Sequence, residues 1–337
     1  MDANGVRAAW ERAASHAAEA EARAARDEAS AARDDAPAFM DAPLAASAPD
    51  LEGAVAVALG IPYGGVDPEV AAGAAAIRRH SVDVTPQGRL EPCSGADCRL
   101  DAVRSVRLVD YGDVLVEADD VEATFVRAHD KLADIFAAGA VPIVFGGDHS
   151  ITIPILQVLA GKLSGKLGIV AFDARLDLDY EPRYRAGSQW ARAFELGVVE
   201  PTNFVEIGAR EGPGSRAEQC VADELGIRAY TMAEIDELGI ATVAQEALEA
   251  AAAGTEAVYL SLDTDAVDPA DGGPGSSGST GLSARELLRA LRTLAGASVA
   301  GLDVCGLAPR RDPQGHVGRV AVRAVHEVLA GLAGQRP

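Results

Sequence analysis

The sequence predicts an α/β fold: a mainly parallel sheet with helices on both faces. Three observations point there. Short apolar runs of five to seven residues alternate along the chain with helical stretches. The runs are apolar throughout rather than every second residue, as strands covered on both sides are. Aromatic residues make up only 4% of the chain and alanine is abundant, which suits helices lying close against a sheet.

Residues 1–35 are rich in Ala, Glu and Arg and read as a solvated helix with a weak apolar stripe. A frayed arm and an oligomer contact both fit that pattern. Asp34-Asp35-Ala36-Pro37 ends it, because proline disfavours helix at the residue before it. We therefore expect an arm and linker over 1–48 and one domain over 49–337. Within the domain, Ala54–Gly60 is the first strand and Arg107–Asp113 a second. Residues 120–138 have helical spacing. Strand Val141–Phe145 precedes a helix over 151–163, and strand Leu167–Phe172 precedes a helix over 189–196. Strand 203–207 and an amphipathic helix over 240–253 follow. Strand 257–262, helix Ala284–Leu294, strand Val299–Val304 and a last helix over 317–333 complete the series. No repeat of 20–50 residues is visible.

Composition removes several function classes. With 337 residues, 48% of them hydrophobic, the chain is able to bury a full core. Its 51 acidic against 30 basic side chains leave a net charge of −21, which argues against general nucleic-acid binding. No apolar run reaches the ~18–20 residues of a membrane span. The first residues lack the apolar core and cleavage site of a secretory signal, so the expectation is cytoplasmic. Four cysteines, at 93, 98, 220 and 305, are too few for a disulfide scaffold. Cys93 and Cys98 are expected as free thiols, with a small loop disulfide as the alternative.

The chemistry lies at the strand ends, where ligand sites of parallel sheets form. Gly146-Gly147-Asp148-His149-Ser150 follows VPIVF. Asp173-Ala174-Arg175-Leu176-Asp177 follows IVAF. Ser261 and Asp263-Thr264-Asp265-Ala266-Val267-Asp268-Pro269 close VYLSL. Aspartates that only cap the following turns would explain one or two of these. Paired D-x-D and D-x-x-x-D spacings together with a histidine point to a hard divalent cation, since uncompensated carboxylates would repel and take up protons.

These motifs resemble the ureohydrolase family of arginases, agmatinases and guanidinobutyrases. The family reads G-G-D-H-S, D-A-H-x-D and S-x-D-x-D-x-x-D-P. The resemblance spans roughly 39–335, including Phe39-Met40, Gly60-Ile61-Pro62 and NFVEIGAR at 203–210. It implies a three-layer α-β-α fold and a two-manganese site that hydrolyses guanidines to release urea. The implied ligands are His149, Asp173, Asp177, Asp263 and Asp265. The sixth ligand, a histidine in the family, is Arg175 here. A guanidinium has no lone pair to give and carries a fixed charge. We expect Arg175 to pair with Asp173, Asp177 or Asp263 and replace one metal's charge. The alternative is that it faces solvent while one metal persists.

Further departures accompany it. The family's proton-shuttle histidine corresponds to Ala186. The glutamate that grips the guanidinium falls on Gly278, and the acid of V-E-x-x-P falls on Gly306. The G-P-x-x-I-R helix start reads Ala74-Ala75-Ala76-Ile77-Arg78. Family members form trimers and hexamers, and the nickel-dependent metformin hydrolases pair an active subunit with a ligand-poor one. The resemblance thus implies a catalytically degenerate subunit that assembles with an active paralogue cleaving a guanidine or biguanide. Nickel or manganese is expected in that partner, and no metal or partial occupancy in this chain. Two readings stay open beside it: an active amidinohydrolase with an altered metal site, and a homo-oligomeric binding protein.

Overall fold

The apolar runs pair into one sheet of eight strands, every pairing parallel. The computed structural model describes residues 36–65, 67–83, 99–117, 119–180, 184–210, 215–271, 273 and 280–335. The arm over 1–35, Cys93, Cys98 and Gly278 lie outside the described residues. The strands are β1 Ala56–Ile61, β2 Leu108–Asp113, β3 Val141–Gly146, β4 Lys166–Phe172, β5 Phe204–Ala209, β6 Arg228–Thr231, β7 Thr255–Asp263 and β8 Val299–Cys305. Their spatial order is β2-β1-β3-β8-β7-β4-β5-β6.

That order positions the site. The four motif-bearing strands β3, β8, β7 and β4 are consecutive neighbours at the centre of the sheet. Register aligns their ends: Phe172 faces Leu262, Ser261 faces Asp303, and Asp263 faces Cys305. The last strand in sequence is therefore inserted between the third and the seventh, so the site is complete only when residues far apart in the chain have met.

Successive side chains point to opposite faces, so each strand feeds two cores. Val170, Phe172, Leu260, Leu262, Leu302 and Val304 fill one. It is covered by α1 (Gly73–Asp83), α2 (Arg99–Ser105), α8 (Ile240–Ala252), α9 (Ala284–Leu294) and α10 (His316–Gly334). Ile169, Ala171, Tyr259 and Cys305 enter the other. Helices α3 (Val121–Ala137), α4 (Thr152–Lys162), α5 (Gln189–Glu195) and α6 (Ser215–Leu225) cover it. A short helix, α7 (Met232–Leu238), starts at a Thr231–Glu234 capping box. Two core layers of helix around one sheet give the expected α-β-α sandwich.

Residues 39–45 are built into this domain. Phe39 is fully buried, with its ring 4.6 Å from that of Phe145. Its backbone N–H donates to Asp110 Oδ2 at 2.8 Å. The chain then bridges to the free edge of β2 through Leu44. Asp110 is also gripped by Arg78 of α1, whose Nε and Nη2 donate to it at 2.8 and 3.0 Å. The arginine of the altered helix start thus survives as a structural anchor.

Candidate metal centre

His149 follows β3 through a turn that only glycine permits: a Cβ on Gly147 would lie 1.8 Å from the Tyr63 carbonyl. Its imidazole is buried against the indole of Trp190, whose ring stands edge-on at 5.3 Å. Around Nδ1 the structure gathers Asp173 Oδ2 at 2.8 Å, Asp177 Oδ2 at 3.4 Å and Asp263 Oδ2 at 3.6 Å. Neither Nδ1 nor Asp173 Oδ2 has an aligned hydrogen-bond partner. Asp177 reaches this point because its backbone turns left-handed (φ +48°), a conformation aspartate tolerates better than most residues. Gln189 Nε2 donates to its Oδ2 at 2.7 Å.

Each aspartate does two jobs. Asp173 Oδ1 accepts the Arg175 N–H at 2.9 Å, and Asp263 Oδ1 accepts the Asp265 N–H at 2.9 Å. These are the local turn caps that a purely structural reading foresees. The second oxygen of Asp173 remains for the site, and that of Asp263 faces it while accepting the Cys305 S–H at 3.6 Å. Asp265 accepts the Ala174 N–H through Oδ1 at 3.1 Å, which ties the β7 turn to the β4 turn. Arg210 binds the backbone carbonyls of Asp265 and Thr280. All five expected ligand positions therefore converge.

The far side of His149 fixes its tautomer. Nε2 lies 2.9 Å from Ser261 Oγ, and Ser261 Oγ donates to Asp303 Oδ1 at 2.8 Å. Asp303 Oδ2 accepts from Thr152 Oγ1 at 2.9 Å and from Tyr259 OH at 2.6 Å. An ionised carboxylate only accepts, so Ser261 gives its proton to Asp303 and must take one from Nε2–H. In the neutral ring the Nδ1 lone pair then faces three carboxylate oxygens. Only a cation or a proton relieves that arrangement.

Electrostatics agree. Burial, reinforced by repulsion from Asp265, pushes the Asp263 carboxyl up to about 7. Burial, with Asp265 and Asp177 nearby, also holds Asp173 well above the usual carboxylate range. For His149, burial opposes the imidazolium, but the Cys305 sulfur and the Asp173 and Asp177 carboxylates outweigh it and raise the pKa. Burial keeps Cys305 itself a thiol, so the carboxylates carry the effect. The donor set fits a divalent metal: one imidazole nitrogen and several carboxylate oxygens around an orphaned buried nitrogen.

Arg175 pairs with one of its three expected partners, Asp177, and with Asp265, which was not among them. Its Nη2 is 3.6 Å from Asp177 Oδ1 and its Nε 3.9 Å from Asp265 Oδ2, while only its backbone meets Asp173. Its side chain is 51% exposed, so it roofs the carboxylates rather than lying among them. The reason is length: a six-atom side chain rooted between two ligands overshoots the position an imidazole would fill. Ala186 sits half-buried just ahead of α5 and has no group to move a proton. Gly306 is held at φ +77°, and a Cβ there would lie 2.2 Å from Asp263 Oδ1. The backbone thus leaves no room for an acid at that position while Asp263 keeps its place.

Sequence reasoning missed Asp303, Tyr259, Thr152 and Gln189 behind the ligands. It also missed Glu206, which is fully buried beside the cluster with both oxygens unpartnered. Burial, with Asp173 close by, holds its pKa well above the usual carboxylate range. A signal existed for two of them: Asp303 and Glu206 are lone acids inside otherwise apolar strands.

A sequence profile of the arginase family matches residues 54–331. The chain belongs to the arginase family. Among arginase-family relatives it shares 35% identity with the guanidinopropionase of Pseudomonas aeruginosa over 236 residues, 68% of this chain and 72% of that protein. The proclavaminate amidinohydrolase of Streptomyces clavuligerus is 30% identical over 229 residues, 66% of this chain and 72% of that protein. A solved structure of proclavaminate amidinohydrolase from that organism superposes with a TM-score of 0.75 at 28% identity, covering 89% of this chain and 98% of that one. Arginase from Bacillus caldovelox superposes with a TM-score of 0.67 at 26% identity, covering 81% and 97%. As an arginase-family member the chain shares the fold of these relatives.

Proposed function

We propose that this chain is a catalytically degenerate arginase-family subunit that assembles, as a trimer or hexamer in the cytoplasm, with an active paralogue hydrolysing a guanidine or biguanide to release urea. The observation that carries this reading is Arg175. In this family a bound divalent pair supplies Lewis-acid activation for attack on the guanidinium carbon. Here the residues that would serve such a reaction are altered together. His149, Asp173, Asp177, Asp263 and Asp265 are able to bind and orient a cation. Arg175 lays its own guanidinium beside two of them, 3.6 Å from Asp177 and 3.9 Å from Asp265. Ala186 cannot hold a proton, and Gly306 offers no oxygen. The family's site is at most partially occupied in this chain, with nickel or manganese in the active partner.

The test is co-expression with an arginase-family paralogue from the same genome that has histidine at the position of Arg175. We expect co-elution on size exclusion, and urea release that drops when this chain is omitted. A paralogue that is fully active alone and never co-elutes overturns the reading. In that event a self-assembled chain that binds a guanidino compound without turnover becomes the better account. One observation favours a further alternative: the intact His149, Asp173, Asp177 and Asp263 set is what an amidinohydrolase with an altered metal site would need. Urea release by the purified chain, lost in Asp263→Ala, would establish it.

A further inference from the structure

The carboxylates form two unequal halves. One groups His149 with Asp173 and Asp177, and Asp263 Oδ2 closes it at 3.6 Å from Nδ1. The other groups Asp173, Asp263 and Asp265 and has no neutral donor. In octahedral coordination at 2.0–2.1 Å, adjacent ligand atoms stand about 3 Å apart. The 2.8, 3.4 and 3.6 Å separations around His149 Nδ1 are near that edge, with modest tightening needed on binding. Nδ1 and Asp173 Oδ2 are buried and unpartnered, both aimed into this half. The Ser261–Asp303 relay presents the Nδ1 lone pair to it. The second half has lost its imidazole, and the guanidinium of Arg175 covers it from the Asp265 side.

We infer that the chain binds one divalent cation, not two, with His149, Asp173, Asp177 and Asp263 as its ligands and the guanidinium of Arg175 standing in for the second. This rests on the reading that Arg175 has displaced a metal ligand, and it commits that reading to a single ion at a stated corner. One divalent ion and Arg175 leave the four carboxylates one charge from neutrality. Without the ion, the buried carboxylates must take up protons instead. The bound ion then holds together the ends of β3, β4 and β7, and its role is to fix the shape of this edge in the assembly.

The experiment is a metal count on the full chain. Chelator-stripped protein is dialysed against Mn²⁺ or Ni²⁺ alone, and bound metal is measured by elemental analysis alongside the thermal midpoint. One ion per chain with a raised midpoint is expected. Asp265→Asn should still bind one ion, because Asp265 belongs to the other half. Asp177→Asn should bind at least tenfold more weakly, and Arg175→His should take up a second ion. Circular dichroism of each variant verifies folding. No bound ion, two ions in the parent, or a count unchanged in Arg175→His overturns the inference. A failed metal count with no urea release removes the single-ion site alone. A correct count accompanied by urea release removes the degenerate-subunit reading alone.

Discussion

Ser261 touches no carboxylate of the cluster, yet it decides what His149 offers to it. It accepts the Nε2–H and passes its own proton to Asp303. Ser261→Ala should therefore lower divalent-metal affinity by about 10–100-fold while leaving the fold intact, the usual effect of removing such a partner. Unchanged affinity by equilibrium dialysis would show that the relay does not set the tautomer. Asp263 makes a pH prediction. Its carboxyl sits at about 7 in the fold, against an ordinary value of ~3.9. Between those values the metal-free fold holds a proton that the unfolded chain has released, so stability falls as pH rises through this window. The raised His149 pKa has the same sign: its contribution is lost as pH climbs above the ordinary histidine range. Asp177, lowered by its His149 and Arg175 contacts despite burial, acts only in more acid solution. Melting curves in chelator should thus show a lower midpoint at pH 8 than at pH 5, with a smaller drop in Asp263→Asn. Equal drops in both proteins would contradict this origin. Arg175 is half-exposed, so Arg175→Ala should cost no more than ~1 kcal/mol of stability, as for other solvent-screened pairs. A loss several times larger in urea titration would mean the guanidinium is buried among the carboxylates rather than roofing them from the solvent side.

At the scale of elements, Asp110 on β2 joins three segments. It takes the Phe39 N–H, the Gly112 N–H and two bonds from Arg78 of α1. Removing one partner of a buried, hydrogen-bonded charge pair costs roughly 3–5 kcal/mol. Arg78→Ala should lose that much by denaturant unfolding, and a loss under 1 kcal/mol would show that the strap over residues 39–45 does not depend on it. Much of this architecture is legible in the chain. β3, β4, β7 and β8 are built on mostly apolar runs, and α9 spans Ala284–Leu294 as its spacing indicates. What escapes is short or mixed. β6 has four residues, Arg-Ala-Tyr-Thr, at the sheet edge, and only the middle two are buried. The Arg-Arg-His run in α1 hides a helix whose Ala74, Ala75 and Ile77 are buried. The site motifs are local and so were readable. The Thr152, Tyr259, Ser261 and Asp303 network was not, because it joins residues up to 151 positions apart. The Arg175 pairing was half legible: its charge is fixed by its chemistry, but the choice of Asp177 and Asp265 depends on how far the side chain reaches.

At the scale of the whole molecule, the fold is kept and the site is altered. Among the described residues no helix is long and apolar enough to cross a membrane. The central sheet, covered by helices on both faces, matches the fold of the arginase-family structures. Arg175, Ala186 and Gly306 stand where the family resemblance places a ligand, a proton carrier and an acid. On the proposed reading, one such change alone would fit a shifted substrate preference, whereas all three together would leave cation binding and remove turnover. The account stands or falls on turnover by this chain alone. Purified protein supplied with Mn²⁺ or Ni²⁺ is assayed for urea release from arginine, agmatine, guanidinobutyrate and a biguanide. The account predicts no release above the rate of an Asp263→Ala control, and sustained release that disappears in that control would contradict it.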